Sequence, residues 1–135
     1  MINASLNLKV RFAETDAMGV VYHANYLTWC ECSRHSLLAA AGLNYNELVA
    51  AGYHLPVVEA HLNYLYPAKF GDEVEILVKI SERPSVKIKV EYEIRANGRL
   101  LVTGYTVHVF VNLEGAPVKP PRDILAKLRE EFDGQ

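Results

Sequence analysis

The sequence lacks a cysteine pattern that could form a disulfide or a metal site. Its only two cysteines, Cys30 and Cys32, lie two positions apart in a predicted helix, where such positions point in different directions. We expect small thiols, buried or half-buried, and a nucleophilic role for either is the less favoured alternative. His54, His61 and His108 do not have the spacing of zinc ligands, so no metal site is predicted.

The sequence also lacks a strong net charge and a long hydrophobic run. The formal net charge is −2, which gives no basic field to hold nucleic acid or an anionic membrane surface. No apolar run approaches the roughly 20 residues that cross a bilayer, and the first residues do not resemble a leader peptide. We therefore expect a cytoplasmic protein with no nucleic-acid partner and no membrane insertion.

What the sequence does contain is typical of one folded domain. The 135 residues, 50% hydrophobic and 22% charged, can bury a core, and residues 1–135 are expected to form a single domain. A long helical pattern occupies residues 24–41, and Gly42 is placed to end it. Strand-like alternation of apolar and polar residues occurs in five runs, at 6–12, 57–66, 74–80, 86–95 and 100–113.

Turn signals and two shorter helices complete the pattern. Asn97-Gly98 predicts a tight hairpin between the fourth and fifth strands, because both central positions of a type I′ turn need positive φ. A short helix is predicted at 45–51 and an amphipathic helix near the C-terminus. One strand, one long helix and then four strands indicate an α+β fold with an antiparallel sheet.

Asp16 is the main candidate for catalysis. It follows the first strand and precedes the long helix, so backbone N–H groups at the helix start should lie near its carboxylate. Such amides stabilise a developing negative charge, as an oxyanion hole does, while the carboxylate acts as base or nucleophile. The alternative is that Asp16 only caps the helix, and its spacing alone favours that structural role.

Two further polar positions in this region are candidates. His23, at the predicted helix start, could be an acid–base group, a hydrogen-bonding wall residue, or a position whose backbone amide matters more than its imidazole. Arg34 lies within the apolar stripe of the helix and should need a partner, for which Glu31 is the nearest candidate. That pair is either purely structural or helps to fix the carboxylate site.

Three segments of the chain resemble one enzyme family. The segment TDAMGVVYHANYLTWCE, followed closely by SR, resembles the signature of the YbgC-type acyl-CoA thioesterases, in the 4-hydroxybenzoyl-CoA thioesterase branch of the hotdog-fold superfamily. The segment PVVEAHLNYLYPAKFGDEVEI is similar to the second block of that family, and GRLLVTGYTVHVFVN to its last strand. The resemblance extends over nearly the whole chain.

The resemblance implies a fold, an assembly and an activity. The fold is a hotdog, in which a five-stranded antiparallel sheet wraps around one long central helix, with a short C-terminal helix here. The assembly is a homodimer or homotetramer, joined edge to edge near residues 57–66, with sites between protomers. The substrate is an acyl-CoA, and neither a cofactor nor a metal is expected.

The resemblance also assigns roles to particular residues. Asp16 matches the catalytic carboxylate, and His23 matches the helix-start position whose amide binds the thioester oxygen, with its side chain also implicated. Tyr22 and Asn25 are nearby candidates for binding substrate. The chain departs from the family at Phe12, where many members have tyrosine.

The implied reaction is hydrolysis of the acyl-CoA thioester to free acid and CoA. One alternative keeps the chemistry and replaces CoA by acyl carrier protein. The other is a non-catalytic acyl-binding or envelope-associated interaction protein. The presence of Asp16, Gly19 and His23 argues against this last alternative.

Overall fold

The computed structural model describes residues 1–134. Gln135, the last residue of the predicted domain 1–135, lies outside the described residues. In chain order the elements are β1 (Ile2–Lys9), a 3₁₀ turn (Phe12–Glu14), α1 (Asn25–Ala40), α2 (Tyr45–Ala50), β2 (Tyr53–His54), β3 (Val57–Tyr64), β4 (Glu73–Ile80), β5 (Lys87–Ala96), β6 (Arg99–Val109), β7 (Val111–Asn112) and α3 (Arg122–Asp133).

Five strands form one antiparallel sheet in the order β1–β4–β5–β6–β3, and β2 pairs with β7 in a separate small sheet. The helix α1 packs against this sheet and contacts β1 and β4. Alternate residues of β4 face the helix and are almost completely buried: Val74, Ile76, Val78 and Ile80. The predicted fold class is therefore confirmed, a hotdog with a five-stranded antiparallel sheet around a long helix.

The long helix is covered on more than one side, as its lack of a polar face predicted. Tyr26, Cys30 and Leu37 lie in the core, and Trp29 is only 2% exposed although it lies off that stripe. Gly42 has a φ of 75°, the left-handed conformation that commonly ends a helix. The predicted helix at 24–41 is confirmed, with bounds shifted by one residue at each end.

The first strand differs from the predicted one. It begins and ends earlier than residues 6–12, and Phe12 lies in the 3₁₀ turn with 76% of its surface exposed. The backbone N–H of Arg11 donates to Glu14 Oε1 at 2.8 Å, which holds the chain in this turn. The alternation of apolar and polar residues continues past the end of the strand, so periodicity alone could not locate that end.

The predicted hairpin and the predicted C-terminal helix are both present. Asn97 and Gly98 have φ of 53° and 73°, and β5 and β6 pair antiparallel across them, which confirms the hairpin. The C-terminal helix α3 buries Ile124 and Leu128, as its amphipathic pattern predicted. Among residues 1–134 there is no helix with the length and hydrophobicity to cross a membrane.

The edge strand β3 is largely exposed. It pairs with β6 on one side and has no neighbouring strand on the other side within the described chain. Val57, Val58 and Tyr64 are 44%, 55% and 49% exposed, so these three apolar side chains are not buried in a single chain. An exposed apolar edge of this kind is available to pair with another chain.

Candidate active site

Asp16 is the first residue of a short hydrogen-bonded loop, residues 16–20, between the 3₁₀ turn and α1. Its backbone N–H donates to the Val20 carbonyl at 2.9 Å, and its carbonyl accepts from the Gly19 N–H at 2.9 Å. The Met18 N–H donates to Asp16 Oδ1 at 2.8 Å. Gly19 has a φ of 78°, which a residue with a side chain rarely adopts. The loop therefore fixes both the backbone and one carboxylate oxygen of Asp16.

The second carboxylate oxygen of Asp16 is free. Within residues 1–134, no donor is hydrogen-bonded to Oδ2, and the side chain is half-buried. The residue does not cap α1, because that helix begins at Asn25, after Ala24 as its N-cap, without a side-chain cap. The cap interpretation that the spacing favoured is therefore wrong, since the side chain binds an amide of its own loop.

His23 lies between that loop and α1, and its backbone carbonyl accepts a hydrogen bond. The Tyr64 hydroxyl donates to the His23 carbonyl at 3.1 Å, and the His23 ring contacts the rings of Tyr22 and Tyr64. The His23 N–H makes no hydrogen bond to any described residue. The imidazole is exposed and is not hydrogen-bonded within the described chain. The backbone amide is thus free to donate to a ligand.

A buried carboxylate, Glu14, connects the loop to the helix. The Trp29 Nε1–H donates to Glu14 Oε2 at 2.7 Å, and the Arg11 N–H donates to Oε1 at 2.8 Å. The Glu14 carbonyl accepts from the Tyr22 N–H at 2.9 Å and from the Asn25 Nδ2–H at 2.8 Å. Burial raises the pKa of Glu14, but the hydrogen bonds from Arg11 and Trp29 hold the pKa below its ordinary value.

Sequence reasoning missed Glu14. Nothing in the segment FAETD marks this glutamate as more buried than its neighbours, and its indole partner lies on the helix at Trp29. A single tryptophan in a helix that follows two acidic residues is too weak a signal to predict the pair. The pair nevertheless sets the position of the chain on both sides of Asp16.

The two predicted substrate-binding residues lie in the same region but differ in availability. Tyr22 is 46% exposed, and its ring lies 4.5 Å from the His23 ring. Asn25 is half-buried, and its amide nitrogen already donates to the Glu14 carbonyl. Tyr22 can therefore contact a ligand with its side chain, whereas Asn25 positions the start of the helix.

A shallow groove of about 210 Å³ lies beside His23. Its walls come from the helix start and from the end of β3 with the segment after it: Val21, His23, Tyr26, Tyr64, Leu65, Tyr66 and Pro67. The buried Tyr26 hydroxyl accepts from the Ala68 N–H at 3.1 Å, which fixes that segment against the helix. Asp16 is not among the residues that line this groove in a single chain.

The cysteines are poorly suited to chemistry. Burial raises the pKa of Cys30 to about 12, so this thiol stays protonated and weakly nucleophilic near neutral pH. Cys32 is exposed on the outer face of α1, and the two sulfurs are not bonded. In the described part of the chain, no group of three or more His, Cys, Asp or Glu side chains is placed to hold a metal ion.

Arg34 does not pair with Glu31, contrary to the prediction. Among residues 1–134 it makes no ion pair within 4.0 Å. Its Nη1–H donates to the Tyr92 hydroxyl at 3.1 Å instead. Glu31 is exposed at the helix surface, where solvation of the carboxylate competes with an ion pair.

Comparison with known proteins places the chain in a family. Residues 10–128 match the model of the thioesterase-like superfamily. The Bacillus subtilis protein named "Putative acyl-CoA thioesterase YneP" is 34% identical over 108 residues, which cover 79% of this chain and 78% of that protein. A 1,4-dihydroxy-2-naphthoyl-CoA hydrolase of Synechococcus elongatus is 30% identical over 102 residues, covering 74% of this chain and 75% of that protein.

A solved structure shows the same architecture. The crystal structure of a DHNA-CoA thioesterase from Staphylococcus aureus superimposes with a TM-score of 0.88 and 26% sequence identity. The superposition covers 100% of this chain and 97% of that one. The chain therefore belongs to the thioesterase-like superfamily of hotdog-fold enzymes, and its homologues support a thioester hydrolase activity.

Proposed function

We propose that this protein hydrolyses acyl-CoA thioesters, with Asp16 as general base or nucleophile and the His23 backbone amide as a donor to the oxyanion. The proposal is carried by one juxtaposition. A carboxylate oxygen without a hydrogen-bond partner and a backbone N–H without a partner lie on the same short loop and helix start. The names of the relatives support acyl-CoA as the substrate class.

In the general-base form of the reaction, Asp16 Oδ2 takes a proton from a water molecule. The water oxygen attacks the thioester carbonyl carbon, and the carbonyl oxygen becomes an oxyanion that accepts from the His23 N–H. Collapse of the tetrahedral intermediate breaks the C–S bond. The proton held by Asp16 passes to the CoA thiolate, so the products are the free acid and the free thiol.

In the nucleophilic form, Asp16 Oδ2 attacks the carbonyl carbon itself. The C–S bond breaks, the CoA thiolate leaves, and a mixed anhydride links the acyl group to the aspartate. Water then cleaves the anhydride and restores the carboxylate. Both forms require the same free oxygen and the same amide.

The chain is expected to form its site between two subunits. The exposed edge of β3 and the shallow groove beside it support a dimer that pairs two β3 edges, since the groove alone encloses little of a ligand. We propose this homodimer as the smallest active unit. Its pairing into a homotetramer and its cytoplasmic location are further predictions.

Membership of the YbgC-type branch is the finer proposal. It rests on the segment TDAMGVVYHANYLTWCE, which contains Asp16, Gly19 and His23 in the order that the resemblance requires. Relatives named for 1,4-dihydroxy-2-naphthoyl-CoA make aromatic acyl groups the first substrates to test. A panel should therefore contain aromatic, short-chain and long-chain acyl-CoAs together.

A free-thiol assay with that panel tests the proposed function. We expect the wild type to release CoA, and Asp16→Asn to lower kcat/KM by about 100- to 10,000-fold, because a base or nucleophile is lost. Asp123→Asn in α3 is the matched control and should leave turnover unchanged. Unaltered turnover in Asp16→Asn would contradict the proposed mechanism.

The same assay separates the alternatives. An acyl group presented on CoA and on acyl carrier protein shows which carrier the enzyme prefers. Release of thiol only from the acyl carrier protein thioester would identify acyl carrier protein, and not CoA, as the carrier in the substrate. Absence of activity with every thioester would favour the non-catalytic acyl-binding protein.

A further inference from the structure

A cleft of about 520 Å³ adjoins the groove beside His23. The cleft and the groove have Tyr66 and Pro67 as a common wall. The rest of the cleft is lined by the segment after Pro67 and by the β5–β6 hairpin, with Lys69, Asp72, Ala96, Asn97, Arg99 and Leu101. A molecule that extends from the groove past Tyr66 therefore enters this cleft.

Two cations line the cleft, and neither of them is paired. Lys69 and Arg99 are exposed, and within residues 1–134 no carboxylate oxygen lies within 4.0 Å of their side-chain nitrogens. Asp72 also lines the cleft, and its Oδ2 accepts from the Lys69 backbone N–H at 2.9 Å. Two cations and one carboxylate leave an excess of one positive charge, so the cleft attracts an anion.

Arg99 is held in one place although it is exposed. Its guanidinium carbon lies 4.1 Å from the centroid of the Tyr66 ring, which is a cation–π contact. This contact uses the face of the guanidinium, whereas the five N–H groups lie in its plane. In the described part of the chain none of these N–H groups has a hydrogen-bond acceptor. They are therefore available to a phosphate, which a guanidinium can bind with two parallel N–H groups.

The arm of CoA is long enough to reach from the candidate active site into the cleft. Tyr64 contacts His23, and Tyr66 follows two residues later, at most about 7 Å along an extended chain. The arm between the sulfur and the first phosphorus of CoA has about 13 bonds, close to four extended residues, which span about 14 Å. A thioester held at Asp16 and His23 can therefore place its phosphates beside Arg99.

Several other basic side chains of the protein are less suited to this role. Arg83, Lys89 and Arg95 each have a carboxylate within 4.0 Å. A phosphate that binds one of them competes with a partner already in place. Lys69 and Arg99 have no such partner, and they line one cleft that continues from the groove of the candidate site.

We propose that Arg99, held by the Tyr66 ring, and Lys69 bind the phosphates of the CoA nucleotide. The cleft thereby selects CoA over acyl carrier protein, which presents the same arm on a single phosphate and has no nucleotide. The proposal rests on the thioesterase function proposed above and names the part of the substrate that is recognised outside the reacting thioester. No bond is made or broken in the cleft.

The test compares the CoA and pantetheine thioesters of one acyl group, the group that the panel shows to be hydrolysed fastest. We expect kcat/KM for the CoA thioester to be higher by about 10- to 100-fold, because charge-assisted hydrogen bonds to the phosphates are gained. In Arg99→Gln, KM for the CoA thioester should rise about 10-fold, while kcat and the KM of the pantetheine thioester stay within about two-fold. Arg99→Lys should restore part of the difference, because the positive charge returns.

Arg95→Gln is the matched control for the loss of charge. It removes a guanidinium from the same hairpin, but one that pairs with Glu93 at 3.1 Å, and it should leave KM for the CoA thioester within about two-fold. Added sodium chloride should raise this KM in the wild type, because salt screens exposed charges, and Arg99→Gln should flatten the rise. A purely structural role of Arg99 would instead change the kinetics of both thioesters alike.

Binding of CoA itself separates this inference from the proposed function. Calorimetry gives the affinity of the wild type, Arg99→Gln and Arg95→Gln for CoA without any turnover. If no thioester is hydrolysed, the proposed function fails, and an affinity about 10-fold weaker in Arg99→Gln alone still supports the phosphate site. Equal affinities in Arg99→Gln and Arg95→Gln, or equal kcat/KM values of the wild type for the two thioesters, would overturn the proposal.

Discussion

Polar groups lie near both ends of α1, and they are held in place in opposite ways. At the N-terminal end, Asp16 and His23 lie near the surface, and short backbone hydrogen bonds within one stretch of chain fix them. In the C-terminal half, Tyr92, Thr106 and His108 are at most 2% exposed and are fixed by each other's side chains. The first region is built for access and the second for a single, directed arrangement.

This difference shows that one small fold can hold polar groups in two ways, by the backbone at an exposed loop and by side-chain partners in the interior. Groups that react must reach water and substrate, so their geometry is set by the backbone, which needs no burial. Polar groups that lie in an apolar interior are desolvated, and each of them then needs a hydrogen-bond partner. Variants that interrupt one region at a time make the comparison quantitative.

The largest effect is expected from Glu14, a buried side chain that joins the Asp16 loop to α1. Glu14→Ala leaves the Trp29 indole N–H without its acceptor and removes the bond to the Arg11 N–H. We expect the free energy of unfolding to fall by about 2–4 kcal/mol, measured by urea denaturation. Arg11→Ala keeps the backbone N–H bond and removes only the ion pair of a side chain that is 76% exposed, so it should cost less than about 0.5 kcal/mol. Equal costs for the two variants would show that Glu14 does not anchor the loop.

The buried region should be the acid-sensitive one. The pKa of His108 is lowered to about 4 in the folded protein, chiefly by burial, whereas an unfolded chain has the ordinary value near 6.5. The contribution of neutral His108 to the free energy of unfolding is therefore complete above about pH 6.5. This contribution is lost as the pH falls toward 4, by up to about 3 kcal/mol. Unfolding free energies measured across that range should decline, and His108→Gln should flatten the decline. A parallel decline in both proteins would assign it to other groups.

A smaller effect is expected when the hydrogen-bond chain is cut in the middle. Tyr92→Phe removes the acceptor of Arg34 and the donor to Thr106. We expect a loss of about 1–2 kcal/mol in unfolding free energy. Tyr105→Phe, on the outer face of the sheet, is the matched control and should change stability by less than about 0.5 kcal/mol. A Tyr92→Phe protein with full stability would contradict a stabilising role for this hydrogen-bonded chain.

The smallest effect on stability is expected at the exposed end. Tyr64→Phe removes only the hydroxyl that donates to the His23 carbonyl, at a side chain that is 49% exposed. Unfolding free energy should change by less than about 0.5 kcal/mol, while kcat falls several-fold because the His23 amide is less well oriented. Tyr66→Phe, which removes a hydroxyl from another tyrosine of the same groove, is the matched control. If kcat is unchanged in both, the hydroxyl does not orient the amide.

The same contrast explains what the sequence could and could not predict. The sheet, the long helix and the Asn97-Gly98 turn follow from local periodicity and turn chemistry, which a single stretch contains. Asp16 and His23 can be proposed as candidates for the same reason, since their neighbours in sequence are their neighbours in space. Even there, the sequence predicts amides of the helix start beside Asp16, whereas its partner is the Met18 amide of its own loop.

The buried region could not be predicted in this way. Arg34 and Tyr92 are 58 positions apart, and His108 meets Leu55 across 53 positions. The sequence therefore predicts the nearest opposite charge, Glu31, as the partner of Arg34, and this prediction is wrong. Only the packing of α1 on the sheet shows that a neutral hydroxyl replaces the carboxylate.

The bond from the Met18 amide makes the two oxygens of Asp16 unequal. A free carboxylate rotates and offers either oxygen, but here Oδ1 is committed to the loop and only Oδ2 remains. In the proposed reaction, attack is then directed from one side toward a carbonyl whose oxygen is held by the His23 amide. A planar thioester approached from a single face yields a tetrahedral intermediate of one handedness, although the substrate carbonyl and the products carry no chirality at that carbon.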